Sequence, residues 1–212
     1  IRTEETQRSG LIAINLAAII FGTAALYGKL DISPFWIVMM RGAFASIALV
    51  AVGLLSGGLG LIPTIAQLRG LLVTGILLAI HWVTFFESVQ LAGVAVGTLT
   101  FAVFPLFTVL LVTMKAHRRP SLLELGAGLA IILAVALLVD AKDSDAQLTG
   151  AIIGLGSALS FAVFGIKAQI LTTEIQPLMV SLIQNLTVAL CLTPTLVFSS
   201  HAPHTTTDWV GL

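Results

Sequence analysis

GLLVTGILLAIHWVTFFESVQLAGVAVGTLTFAVFPLFTVLLVT, from Gly70 to Thr113, is apolar almost throughout and contains only two ionisable side chains, His81 and Glu87. A helix needs about 20 mostly apolar residues to cross the hydrocarbon core of a bilayer. The stretch is therefore long enough for two crossings, and small residues around Gly93 mark a turn between them. It predicts one membrane helix over 70–89 and a second over 93–113.

The composition of the whole chain agrees with a membrane environment. Of the 212 residues, 58% are hydrophobic and 9% are charged, and the mean hydropathy is +1.08. A soluble domain is about 25% charged, so this chain could not cover itself with polar surface. The formal net charge is zero, which implies no attraction to nucleic acid, and the single Cys191 excludes an internal disulfide.

Five further apolar segments have a similar length, and short polar or glycine-rich and proline-rich connections separate them. They are too long for barrel strands and do not alternate in polarity. The sequence therefore predicts an all-α polytopic membrane protein with seven helices, at 11–29, 34–55, 70–89, 93–113, 122–139, 150–170 and 177–198.

The distribution of lysine and arginine predicts the orientation. With the N-terminus in the cytoplasm, most basic residues lie in or beside cytoplasmic segments; they are Arg2, Arg8, Arg69, Lys115, Arg118, Arg119 and Lys167. The acidic loop from Asp140 to Asp145 then lies outside. We expect this arrangement in the membrane.

An internal repeat relates the two ends of the chain. GLIAINLAAIIF, starting at Gly10, resembles GAIIGLGSALSF, starting at Gly150, and Asp31-Ile-Ser-Pro34 recurs as Glu174-Ile-Gln-Pro177. The unit is about five helices long, and because five is odd, the second copy must be inverted in the membrane. Inverted repeats are typical of secondary transporters, with the substrate site near the midplane.

The repeat boundaries predict a first unit at residues 1–140 and an incomplete second unit at 148–212, which ends at the opening of a third helix. We therefore expect the native polypeptide to continue for roughly 80–90 residues, which would hold three more spans of ~20 residues and their loops. The alternatives are a protein of seven helices, or one that completes its cavity by pairing with a second copy.

Three stretches resemble the drug/metabolite transporter superfamily of the EamA type: FWIVMMRGAF from Phe35, HWVTFFESVQL from His81, and VAVGTLTFAVFPLF from Val94. Arg41 matches an arginine early in the family's second helix, and Pro105 matches a proline in its fourth. The resemblance implies a fold of ten helices, of which about seven are present here. It also implies transport of small metabolites, often outward, across the bacterial inner membrane without a cofactor.

Arg41 and Glu87 are the ionisable residues expected nearest the outer surface within the membrane, and such residues are functional candidates by default. One interpretation is a structural Arg41–Glu87 pair or an arginine that extends to lipid headgroups. The other is an arginine that recognises an anionic group of the substrate.

A second set of candidates is expected near the midplane. His81 could accept a proton, bind a solute or bond a neighbouring carbonyl, and aromatic, hydroxyl and amide side chains are expected to share a cavity with it; they are Trp82, Thr98, Phe101, Gln184 and Asn185. Pro105 suits either a hinge or a static kink. The histidines lie on different levels and no HExxH pattern occurs, so we expect no metal site.

These features favour a secondary transporter that exports small polar metabolites, such as amino acids or related compounds, by alternating access. A coupled proton is compatible with them. A membrane-embedded enzyme is the second hypothesis, although the acidic residues are scattered rather than clustered. A seven-helix receptor is the third.

Overall fold

The computed structural model describes residues 4–138, 144–198 and 202–203. Helices account for almost all of these residues. The α-helices are α1 (Glu4–Ala24), α2 (Pro34–Leu55), α3 (Ile65–Phe101), α4 (Phe104–Lys115), α5 (Leu122–Leu138), α6 (Ser144–Glu174) and α7 (Pro177–Leu192), and 3-10 helices cover Ala25–Lys29 and Thr193–Phe198.

The helix α2 has the predicted bounds. It begins at Pro34, whose missing N–H costs nothing in the first turn of a helix. It ends before Gly57 and Gly58, which both have positive φ. The helix α7 begins in the same way at Pro177, and the predicted last turns of this helix are a 3-10 helix around Pro194 instead.

The helix α3 contains the first predicted span of the opening stretch and half of the second. It starts earlier than predicted because Thr64 and Gln67 form a capping box. Its two arms meet at Gly93, where φ is 82° and ψ is 164°. A Cβ atom on Gly97 would lie within 3.2 Å of the Val89 backbone, so the second arm folds back closely against the first. The two arms form a tight antiparallel hairpin.

The predicted continuous helix over 93–113 is wrong. The structure interrupts it at Ala102 and Val103, and α4 begins at Phe104 with Pro105 in its first turn. Proline has no N–H to donate to the carbonyl of Phe101, and its ring clashes with that carbonyl in a regular helix. The break therefore follows directly from Pro105.

The helix α6 packs along α3 through small residues. A Cβ atom on Gly150 would lie 3.0 Å from the nitrogen of Ala92, and one on Gly154 would lie 2.7 Å from Ser88 Oγ and would also contact Thr100. Glycines at such positions let two helices approach closely in a membrane.

The helix α7 lies against both α2 and α3. Gly42 of α2 faces the backbone of Asn185, and Gly75 of α3 faces the side chain of Thr187. The hydrophobic core is formed where these helices meet the start of α2, and its buried residues are Ile32, Ile37, Val38, Leu78, Ala79, Phe86, Val188 and Leu192.

Four helices in the described part of the chain are long and apolar enough to cross a membrane: Pro34–Leu55, Ile65–Phe101, Asp145–Glu174 and Pro177–Val197. Phe104–Lys115 and Leu122–Ala134 are apolar but shorter. Many large apolar side chains are exposed, Leu122 and Leu137 among them, as expected where lipid is the solvent. The chain is an all-α polytopic membrane protein.

Two predicted features lie outside the described residues. They are most of the predicted outer loop, which falls within residues 139–143, and the predicted helix start near Asp208.

Candidate functional site

His81 lies on the face of α3 that packs against α6, and its side chain is only 5% exposed. Its Nδ1 atom is 2.8 Å from the Ser157 hydroxyl oxygen and 3.3 Å from the Ser157 carbonyl oxygen. The same hydroxyl donates a hydrogen bond of 3.0 Å to the carbonyl oxygen of His81. Two polar side chains from helices distant in the chain thus bond to each other.

These contacts favour one tautomer of His81. A carbonyl oxygen can only accept, so the 3.3 Å contact with the Ser157 carbonyl favours a proton on Nδ1, and the Ser157 hydroxyl is then free to donate to the His81 carbonyl. In the neutral imidazole this leaves Nε2 as a hydrogen-bond acceptor. Among the described residues, none donates a hydrogen bond to Nε2.

Aromatic rings surround the imidazole. The ring centroids of Phe161 and Phe101 lie 4.7 and 4.9 Å from that of His81, and the centroid of Phe85 lies 6.1 Å away. Phe104 stacks on Phe101, and Phe164 extends the cluster along α6. The predicted proximity of His81 and Phe101 is therefore present, and Nε2 is an acceptor set in an aromatic wall.

Arg41 makes different contacts from the pair considered in the sequence analysis. Its guanidinium carbon lies 5.2 Å from the centroid of the Trp82 ring and 5.7 Å from those of Tyr27 and Phe86. Its Nε atom is buried without a hydrogen-bond partner. Among the described residues, Glu87 and the other carboxylates form no ion pair with Arg41. In the structure, Trp82 therefore contacts Arg41 through its ring.

Gln184 and Asn185 have polar partners elsewhere. Gln184 is buried and donates a hydrogen bond of 3.0 Å to the Thr74 hydroxyl of α3. Asn185 donates to the Ser181 carbonyl one turn earlier, and its Oδ1 atom is buried without a partner. Neither residue has a hydrogen bond or ring contact with His81, so a cavity shared with His81 stays a prediction.

Thr98 lies on the second arm of α3, and its hydroxyl donates 2.7 Å to the Val94 carbonyl. This bond to its own backbone is common for threonine in helices. It leaves the oxygen able to accept from another donor.

Sequence reasoning did not select Ser157, Phe161 or Tyr27 as site residues. Ser157 and Ser160 recur at helical spacing on one face of α6, and Ser160 also bonds across to α3, with 2.8 Å to the Leu77 carbonyl. That polar stripe was the available signal for Ser157. Tyr27 is the single tyrosine of the chain, but nothing in the sequence places it beside Arg41.

The helices and their apolar surfaces define a multi-pass membrane protein with buried polar contacts between its helices. The chain matches the profile of the EamA-like transporter family over residues 8–140, more than half of its length, and it belongs to that family. The sequence resemblance to the drug/metabolite transporter superfamily is thereby confirmed. Comparisons with the curated proteins and with the solved structures gave no match.

Proposed function

We propose that this chain carries small polar metabolites, such as amino acids or related compounds, outward across the bacterial inner membrane by alternating access. The observation that carries the proposal is the acceptor Nε2 of His81, held in one tautomer by Ser157 inside an aromatic wall. With Nδ1 bonded to Ser157, the neutral imidazole presents Nε2 as an acceptor that a solute N–H or O–H group can use.

The two turns that the repeat equates support an inverted arrangement. Pro34 and Pro177 each open a helix, and Ile32 and Ile175, two residues before them, are both buried. Each turn is held by a glutamine from an opposite end of the first arm of α3. Gln90 donates 2.8 Å to the Ile32 carbonyl, and Gln67 donates 3.2 Å to the Glu174 carboxylate. An arrangement in which corresponding turns lie at the two ends of one helix suits a protein that opens alternately to each side of the membrane.

The remaining candidates take roles around His81. Phe101 and Trp82 supply flat apolar surface for the solute, and Thr98, Gln184 and Asn185 supply further hydrogen bonds when the helices rearrange. Pro105, at the break before α4, is the proposed hinge. A proton is a candidate for the coupling ion, because the imidazole can bind one.

Counterflow in liposomes tests the proposal. Purified protein is reconstituted with a panel of unlabelled amino acids inside, and uptake of the same labelled compounds is followed. Transport by the wild-type chain of at least one compound is expected, together with a loss of about tenfold or more in His81→Phe, which keeps a ring but removes the Nε2 acceptor together with the Nδ1 that contacts Ser157. Phe164→Leu, at the margin of the cluster, is the control and should keep most of the activity. Equal rates in His81→Phe and wild type would reject the role of Nε2.

The proposed orientation, with the N-terminus in the cytoplasm, has its own test. Single cysteines at Ala116 and Ser144, in a Cys191→Ser background, are exposed to an impermeant thiol reagent on intact cells. Because the basic residues around Ala116 favour the cytoplasm, labelling is expected only at Ser144. Labelling at Ala116 alone would reverse the assignment.

A further inference from the structure

Arg41 is permanently charged and lies in an apolar part of the protein. Among the described residues, no carboxylate pairs with it. It is only partly exposed, its neighbours are the rings of Tyr27, Trp82 and Phe86, and its Nε donor is sealed without a partner. Arginine does not lose its proton under ordinary conditions. The charge therefore has to be compensated by something other than the residues around it.

The rings do not supply that compensation. A cation–π contact contributes about 0.5–2 kcal/mol, depending on how far water is excluded, but it brings no negative charge and takes up no strong hydrogen bond from the guanidinium. The group that a guanidinium fits best is a planar or tetrahedral oxyanion, which accepts two parallel N–H bonds. We infer that Arg41 binds an oxyanion, either the carboxylate of a small solute or the phosphate of a lipid headgroup.

Tyr27 gives the route by which an oxyanion could arrive. Its ring contacts Arg41 and also lines a surface pocket of about 270 Å³, whose other lining residues are Thr23, Leu26 and Leu30. The tyrosine is 36% exposed and belongs to a short 3-10 helix rather than to a long rigid one. Because the Tyr27 ring borders both the pocket and the guanidinium, the proposed route passes this side chain, and the leucines offer apolar surface to an aliphatic group attached to the oxyanion.

The solute form of this inference rests on the proposed function and narrows the substrates to compounds with a carboxylate. The lipid form does not depend on transport. Binding is measured without flux, so the two proposals fail separately. A chain that transports but shows neither a carboxylate preference nor Arg41-dependent lipid retention contradicts this inference alone, and one that binds the carboxylate but shows no counterflow contradicts the proposed function alone.

The experiment compares isovalerate with isovaleramide, which has the same shape but no charge. Binding to the purified chain in dodecyl maltoside, which contains no phosphate, is followed by saturation-transfer NMR. In a second arm, phosphatidylglycerol is added and native mass spectrometry counts the lipid retained. A carboxylate site gives a preference of about tenfold or more for isovalerate that Arg41→Gln abolishes. A lipid site gives retained phosphatidylglycerol that Arg41→Gln loses and that prevents isovalerate binding.

Two further variants keep the test valid if Arg41→Gln does not fold. Arg41→Lys keeps the charge but not the forked geometry, and should retain part of the preference. Tyr27→Ala keeps the arginine and opens the pocket, and should bind the oxyanion at least as tightly as wild type. The inference is overturned if wild type shows neither the isovalerate preference nor Arg41-dependent lipid retention, or if Tyr27→Ala loses binding while remaining folded.

Discussion

Ser157 contacts Nδ1 of His81 and leaves Nε2 as the nitrogen proposed to meet a solute, and this contact between two residues can be tested without a known substrate. Ser157→Ala removes the hydroxyl that bonds both Nδ1 and the carbonyl of His81. We expect the 15N spectrum of His81 to change from the form protonated at Nδ1 toward a mixture of tautomers. We also expect a loss of about 1–3 kcal/mol in the free energy of unfolding, because buried polar groups lose partners.

The control for this prediction is Ser160→Ala. It removes one hydrogen bond between the same two helices, to the Leu77 carbonyl, without touching the imidazole. It should cost similar stability and leave the His81 spectrum unchanged. An unaltered spectrum in Ser157→Ala would show that the Ser157 hydroxyl is not needed to hold the tautomer.

At the scale of single residues, the sequence predicted which side chains are candidates for the site better than it predicted which side chains contact each other. His81 and Phe101 were expected in one region and lie 4.9 Å apart between ring centroids, because the turn near Gly93 brings their two helix arms together. Ser157 lies 76 residues from His81 in the chain, and helical periodicity carries no information about which faces of distant helices meet. For the same reason, the partners of Arg41 were not foreseen.

Among the elements, the α3 hairpin depends on one backbone conformation. The φ of 82° and ψ of 164° at Gly93 lie in a region that is essentially restricted to glycine. Gly93→Ala meets no atom within 4 Å, so its cost is conformational alone, on the order of 1–3 kcal/mol. We expect a clearly lower thermal unfolding temperature in detergent.

Gly156→Ala is the matched substitution. Gly156 is exposed on α6, also with no atom within 4 Å of a new Cβ, but its φ is not positive. Alanine there should leave stability unchanged or raise it by up to ~1 kcal/mol. Equal unfolding temperatures for the two variants would mean that the hairpin tolerates another turn geometry.

The bounds of α2 were predictable because proline and paired glycines act locally. The merging of two spans into α3 and the break before α4 were not, although the responsible residues, Gly93 and Pro105, were both noted. Sequence identifies a residue that can bend a chain, but whether it produces a hairpin, a kink or a helix start depends on what the following segment packs against.

Across the whole molecule, one connection from each of the two proposed repeats lies next to the other, at the end that the proposed orientation assigns to the cytoplasm. A pocket of about 360 Å³ lies between the α2–α3 loop and the α6–α7 turn, and Thr64, Gln67, Glu174 and Gln176 are among the residues lining it. The hydrogen bond from Gln67 to Glu174 closes one side. Because the bond is exposed and joins two side chains, it is expected to be weak enough to break and re-form in the proposed transport cycle.

We therefore expect that joining these two positions stops transport. Gln67→Cys and Glu174→Cys are combined in a Cys191→Ser background and linked by a short bifunctional thiosulfonate reagent. Counterflow should fall to background and recover when a reductant releases the link. Each single cysteine variant, treated with the same reagent, is the control. If mass spectrometry shows complete cross-linking and counterflow still runs at the full rate, the movement that opens the protein does not separate these two positions.

The hairpin of α3 also has a consequence for how the protein enters its membrane. Its first arm carries His81 and Glu87, which make that helix costly to insert by itself. The second arm places Phe101 against the imidazole and folds closely along the first through Gly97. We expect both arms to leave the insertion machinery together, as one preassembled unit, so that the ribosome has to complete the segment through Phe101 before either arm settles in lipid.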